Sequence, residues 1–201
     1  VIKAELDETQ GSEFWTIRMV NQSGELCVLG KVGLGRADWS HEFVRPRTME
    51  PVDELPEKGA LTLDNAKPGT DWAAAQVELT SDLIKEFVSQ KQRTGNALFN
   101  GNSAIAHPSW TAGWAEKLLR HNYDIPSSMH TRSRVQHYNK VSVDTSVVGC
   151  AHLIDVYERK AHHFAKFDVL LQDNNGSDIA QLRHWTIFKI ATVEERANMA
   201  S

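Results

Sequence analysis

The stretch TGNALFNGNSAIAHPSW, residues 94–110, decides how this chain is read. It crowds three Asn, two Gly and one His-Pro step directly ahead of a segment with helical spacing. Small polar residues in that position can hold a polar ligand group, and they are equally the residues of an ordinary turn. Downstream, PSWTAGWAEKLLR (108–120) opens with Pro in its first turn. Trp110, Trp114 and Leu118 then recur at helical spacing beside Ala115 and Leu119, giving one apolar face. Upstream, TSDLIKEFVSQKQRTGN (80–96) offers Thr80 or Ser81 as N-cap and Asp82 in the first turn. Leu83, Ile84, Phe87 and Val88 form its apolar stripe, and Gly95 is its expected stop.

On both sides of this helical block the pattern has a period of two, that of strands. FWTIRMV (14–20) alternates, NQSGE turns, and LCVLGKVGLG returns as a hairpin partner. From residue 131 onward, TRSRVQHYNKVSV, AHLIDVYER, HFAKFDVLL and IAQLRHWTIFKI all read as strands, the last two joined by DNNGSD. An internal repeat at an offset of 152 aligns Ile2 with Ile154, Trp15 with Phe167, Ile17 with Val169 and Gly24 with Gly176. Residues 36–77 hold most of the Pro with little periodicity and read as a linker.

The totals exclude several classes. A hydrophobic content of 41% and a charged content of 24% are those of a globular protein, and 201 residues can bury a sizeable core. A net charge of -4 with no Lys/Arg cluster argues against a nucleic-acid surface. No apolar run is long enough to span a membrane. Cys27 and Cys150 are too few for a disulfide framework and read as small core residues in a reducing, cytoplasmic compartment. NQS (21–23) and NGS (175–177) fit a glycosylation sequon but fall in expected hairpin turns. The opening VIKAELDETQ starts in strand-like alternation without a Met and reads as a chain already under way.

A helix with two Trp followed by long antiparallel strands, together with "TGN" and "IAH", resembles the MaoC-like branch of the hotdog superfamily. The resemblance covers about residues 78–192, with residues 1–35 similar to the last strands of a preceding unit and 193–201 a tail. It implies an α+β double hotdog with an incomplete first unit, in which an antiparallel sheet wraps a central helix. It also implies hydration or dehydration of acyl thioesters carried on CoA or an acyl carrier protein, without a cofactor, and a homodimer or association with further hotdog units. A thioesterase on the same fold, or a non-catalytic half with a structural or acyl-binding role, are the alternatives.

The loop departs from the family pattern. Hydratases of this type activate water with the Asp and His of D-x-N-P-x-H. Here Asn96 stands in place of the Asp, Phe99 of the Pro and Gly101 of the His. An amide cannot accept a proton near neutral pH. Pro108 replaces a small residue whose backbone N–H would polarise a thioester carbonyl. The remaining catalytic candidates are His107 and Asn96, with Asn100, Asn102 and Trp110 for substrate binding; each also has an ordinary use as turn, cap or core residue.

Glu116 is two residues from Trp114 and Leu118, so its phase turns it away from their stripe. Arg132 and Arg134 share a strand face, solvated or meeting CoA phosphates. His162 and His163 point to opposite strand faces, and with His152 they lack the partners of a metal site, so no metal is expected.

Overall fold

The computed structural model describes residues 2–7, 14–53, 55 and 57–198. The chain divides into two compact units, residues 1–38 and 39–201. In the first, β1 (Ile2–Asp7), β2 (Phe14–Val20) and β3 (Leu26–Gly33) form an antiparallel meander. The turn between β2 and β3 is made by Asn21, whose Oδ1 accepts the N–H groups of Ser23 and Glu25 at 2.9 and 3.0 Å. Gly24 supplies the positive φ of +81° that this turn requires. Cys27, expected in a core, is exposed on β3.

The second unit is a five-stranded antiparallel sheet in the order β4-β6-β7-β8-β5. Its strands are β4 (Ala75–Leu79), β5 (Met129–His137), β6 (Thr145–Arg159), β7 (His162–Asp173) and β8 (Asp178–Lys189). Alternation along β6 to β8 sends Ala151, Leu153, Phe167, Val169, Leu171, Ala180 and Leu182 to one face, where all are buried. Against that face lie α2 (Pro108–Ala112) and α3 (Trp114–Asn122), through Trp114, Ala115, Leu118 and Leu119. The expected single helix is thus broken at Gly113. Gly149 is the point of closest approach: a Cβ there would lie 2.5 Å from the Trp114 ring. Only glycine lets the indole seat on β6.

Thr80 caps α1 (Ser81–Phe87) by accepting the Leu83 N–H at 3.2 Å. A π turn over Val88–Gln92 follows, and Arg93, at φ 47°, ends the helix two residues before Gly95. Residues 39–77 lie within the second unit, although they lack periodicity. They carry β4 and contribute Leu61, Trp72 and Ala75 to the core. Ahead of β4 the chain bonds to β6 through its backbone, Trp72 N–H to Ala151 O at 2.8 Å and Leu153 N–H to Thr70 O at 2.9 Å, and through the Asp71 side chain to His152.

The opposite sheet face carries a polar row in register across the strands: Asp71, His152, Asp168, Arg183 and Arg134. Asp168 is fully buried, and Arg183 binds it with Nε and Nη2 at 2.7 and 2.8 Å. Residues 42–47 strap across the row. Arg183 donates to the Glu42 carboxylate and carbonyl, Val44 N–H donates to Asp168 Oδ2, and Arg45 forms a bidentate pair with Asp178. The buried Asp168 and Arg183 are thus paired with each other and with the strap, the condition under which buried ions are tolerated.

Candidate active site

Thr94, Asn96 and Asn100 of the 94–110 loop turn their polar groups on the loop itself. Thr94 Oγ1 accepts the Asn96 N–H at 3.2 Å, and Asn96 Oδ1 accepts the Leu98 N–H at 3.0 Å, capping a 3-10 turn over Ala97–Phe99. Asn100 Nδ2 donates to the Asn96 carbonyl at 2.8 Å. Gly101 follows at φ +90°, which L side chains rarely adopt. This is the position on which the sequence resemblance puts a His, and its positive φ disfavours any side chain there. Asn100 and Asn102 line a cleft of about 330 Å³ against Asp82 and Lys85 of α1.

The loop is then fastened to the strand region. Ile105 N–H donates to Leu98 O at 2.9 Å and Ala106 N–H to Val141 O at 2.7 Å. His107 is the N-cap of α2: its Nδ1 accepts the Ser109 N–H at 3.2 Å and faces Ser109 Oγ at 2.7 Å. An Nδ1 that accepts carries no proton, so the neutral ring holds its proton on Nε2. The ring packs on Phe99 with centroids 4.6 Å apart. Trp110 meets Trp114 edge-on at 5.7 Å and lines a third, apolar cleft with Val77, Leu83 and Phe87. The five sequence candidates therefore occupy three neighbourhoods: the Asn residues beside α1, His107 on Phe99, and Trp110 beside β4 and α1.

The cleft at the start of α2 contains a residue that sequence reasoning passed over. About 240 Å³ in volume, it is lined by Ile105, Ala106, Pro108, Thr111, Val141 and residues 137–140. His137 Nδ1 lies 3.2 Å from Thr111 Oγ1, which donates its own proton to Pro108 O at 2.7 Å. Crowding by the surrounding chain holds the His137 pKa below the usual imidazole value. The available signal was phase: His137 lies two residues beyond Val135, on the helix-facing side of β5.

The other candidates have local partners. Glu116 pairs with Arg120 at 2.9 Å and accepts from the Ser128 hydroxyl. Arg132 and Arg134 stack on Trp185, 5.0 and 5.8 Å from its ring. His152 bonds Asp71 at 2.5 Å, His163 faces Glu158 at 3.5 Å, and His162 accepts the Ala191 N–H at 2.9 Å. Burial pushes the Cys150 thiol up to about 12, which makes it inert.

No protein-family model matches the sequence, and no curated protein does. Solved structures share its shape. The unliganded R-hydratase PhaJ1 from Pseudomonas aeruginosa superposes with a TM-score of 0.56 at 7% identity, over 64% of this chain and 86% of that one. A MaoC-like dehydratase from Rhodospirillum rubrum gives 0.53 at 11% identity, over 66% of this chain and 100% of that one. The C-terminally truncated HadBC (3R-hydroxyacyl-ACP dehydratase) complex from Mycobacterium tuberculosis gives 0.51 at 13%, over 60% and 96%. At such identities the likeness is one of fold: an α+β hotdog, an antiparallel sheet with a helix packed against it.

Proposed function

We propose, taking the hotdog fold as premise, that this chain is a hydratase/dehydratase of the MaoC-like type acting on acyl thioesters of CoA or an acyl carrier protein. The observation that carries this reading is the course of the 94–110 loop. It is fastened to Val141 and delivers Pro108 to the start of the helices that the sheet wraps, where the resemblance puts a catalytic loop. Within it His107 is the donor: with Nδ1 engaged by Ser109, its Nε2–H is suited to polarise a thioester carbonyl. That replaces the backbone N–H which Pro108 lacks. Asn96 orients the loop and leaves proton abstraction to another group.

Residues 2–33 belong in this reading to a first hotdog unit, since β1–β2–β3 repeats the meander β6–β7–β8 at the offset seen in the sequence. Met19 of β2 with Val28 and Val32 of β3 are exposed on one face and give that unit an apolar surface for association with a further hotdog unit. The proposed compartment is the cytoplasm. Among the described residues, no helix is long and apolar enough to cross a membrane.

The capping role of Asn96 favours a second reading, a hotdog half that binds acyl groups or supports a partner without turnover. Incubation with a panel of enoyl- and saturated acyl-CoAs, followed for hydration and for free thiol release, separates the two. Hydration that falls in His107→Ala supports the enzyme. Hydration unchanged in both His107→Ala and Asn96→Ala removes the assigned loop, and binding without turnover leaves the second reading.

A further inference from the structure

We propose that His137 is the proton acceptor of this site, working in the cleft formed by residues 105–108, α2 and the end of β5. The inference rests on the acyl-thioester reading and supplies the base that Asn96 cannot be.

Thr111 has one hydroxyl proton, and the 2.7 Å contact commits it to Pro108 O. Toward His137 the same oxygen can then only accept, so His137 Nδ1 is the protonated nitrogen at 3.2 Å. The neutral ring must carry its lone pair on Nε2, and among the described residues no hydrogen bond occupies that atom. His107 shows the opposite arrangement, with Nδ1 accepting from Ser109 and the proton on Nε2. The cleft thus has an imidazole fixed as acceptor, and the loop at its edge has one fixed as donor.

Other polar groups of the cleft are engaged. Tyr138 donates to Gln181 at 2.9 Å and Asn139 Nδ2 to the Asp178 carbonyl at 2.7 Å. Lys140 is exposed on the same rim, where its ammonium favours an anionic part of the ligand. Ile105, Ala106, Pro108 and Val141 supply apolar wall. A cleft of about 240 Å³ takes the reacting end of a short acyl thioester and leaves its carrier outside. His137 is exposed at the mouth of the cleft, within reach of a ligand, and the direction of its pKa shift, downward, favours the neutral form that accepts a proton.

For a 3-hydroxyacyl thioester, Nε2 takes the C2 proton, the C2–H electrons form the C2–C3 double bond, and the C3–O bond breaks. The imidazolium returns that proton to the departing hydroxyl, which leaves as water, and the ring ends as it began. Hydration is the reverse, with Nε2 taking its proton from water as the oxygen adds to C3. Thr111 acts as a positioning residue, since it sets the tautomer without touching substrate.

The test combines turnover with a readout independent of it. Diethyl pyrocarbonate modifies free imidazole nitrogens, and mass mapping reads His137 separately from the other histidines, with crotonyl-CoA as the protecting probe. Saturating crotonyl-CoA is expected to slow modification of His137 several-fold. His137→Gln, which keeps a donor toward Thr111, is expected to lower kcat/KM for crotonyl-CoA hydration by about 100-fold or more, the usual effect of losing a general base. Thr111→Val should alter the pH–rate profile, and Thr111→Ser should restore it. Wild-type turnover that survives His137→Gln, or turnover without protection of His137, overturns this assignment and leaves the acyl-thioester reading intact. Absence of both turnover and protection across the acyl-CoA panel overturns both. Protection without turnover overturns the role as base and selects the acyl-binding reading.

Discussion

Lowering the pH from neutral to mildly acidic loads His184 more heavily than any other imidazole with a resolved shift. It is 3% exposed, lies between Phe167 and His130, bonds Ser133 Oγ through Nδ1 at 2.8 Å, and has a buried Nε2 with no hydrogen-bond partner among the described residues. Burial, and secondarily the nearby His130, push its pKa down to about 3 from 6.5. The unfolded chain therefore binds a proton here below about pH 6.5, while the folded chain refuses it until about pH 3. The stability linked to this group is complete above the upper value and drains away as the pH falls toward the lower one. Between pH 7 and pH 5 the loss from this one site is about 2 kcal/mol. Urea unfolding followed by circular dichroism at both pH values, in wild type and His184→Phe, measures it. The variant should lose about 2 kcal/mol less than wild type over that interval, whatever its stability at pH 7. His184→Gln serves the same purpose if the larger ring does not fit. Equal losses in wild type and both variants would refute the reasoning.

Other perturbations test the packing directly. Gly149→Ala forces a methyl against the Trp114 ring and the Leu171 side chain, 2.5 and 2.9 Å away, and should cost about 1–3 kcal/mol in chemical denaturation. Asp168→Asn removes the buried one of Arg183's two carboxylate partners, leaves Glu42, and should cost about 1.5–3 kcal/mol, whereas the apolar pair Asp168→Leu with Arg183→Met should cost clearly less than the two single changes summed. Of the two thiols, exposed Cys27 should react quickly with an aromatic disulfide reagent and buried Cys150 only on unfolding, as kinetic thiol counting would read.

What the sequence made legible is what has a period or a cap. Trp15, Ile17 and Met19 alternate on a strand, Thr80 caps a helix, and the Trp114–Leu118 stripe faces the sheet, all local consequences of geometry. Residues 39–77 were opaque because they attach by other means: backbone bonds from residues 70 and 72, and ion pairs whose partners lie more than a hundred residues away. Gly95 was the reasonable stop for α1, yet a π turn brought Arg93 into the left-handed region first. In the loop the three Asn were visible, but whether each faces a ligand or its own backbone depends on φ values such as that of Gly101. His137 was hidden for a similar reason: its tautomer is set by Thr111, twenty-six residues earlier on another element.

The strap over residues 42–47 has a consequence for the order in which the molecule assembles. Apart from the Arg47 N–H bonded to Asp71 at 2.7 Å, its anchors Asp168, Asp178 and Arg183 belong to the last two strands, so those bonds cannot form until β7 and β8 have paired. During synthesis the amino-terminal part of this unit must wait, unlatched, while more than a hundred further residues emerge. Contacts this distant in sequence are slow to close and are made late. Until then the Asp168–Arg183 pair, buried in the finished protein, lacks the strap's bonds, and incompletely covered faces are surfaces through which unfinished chains associate.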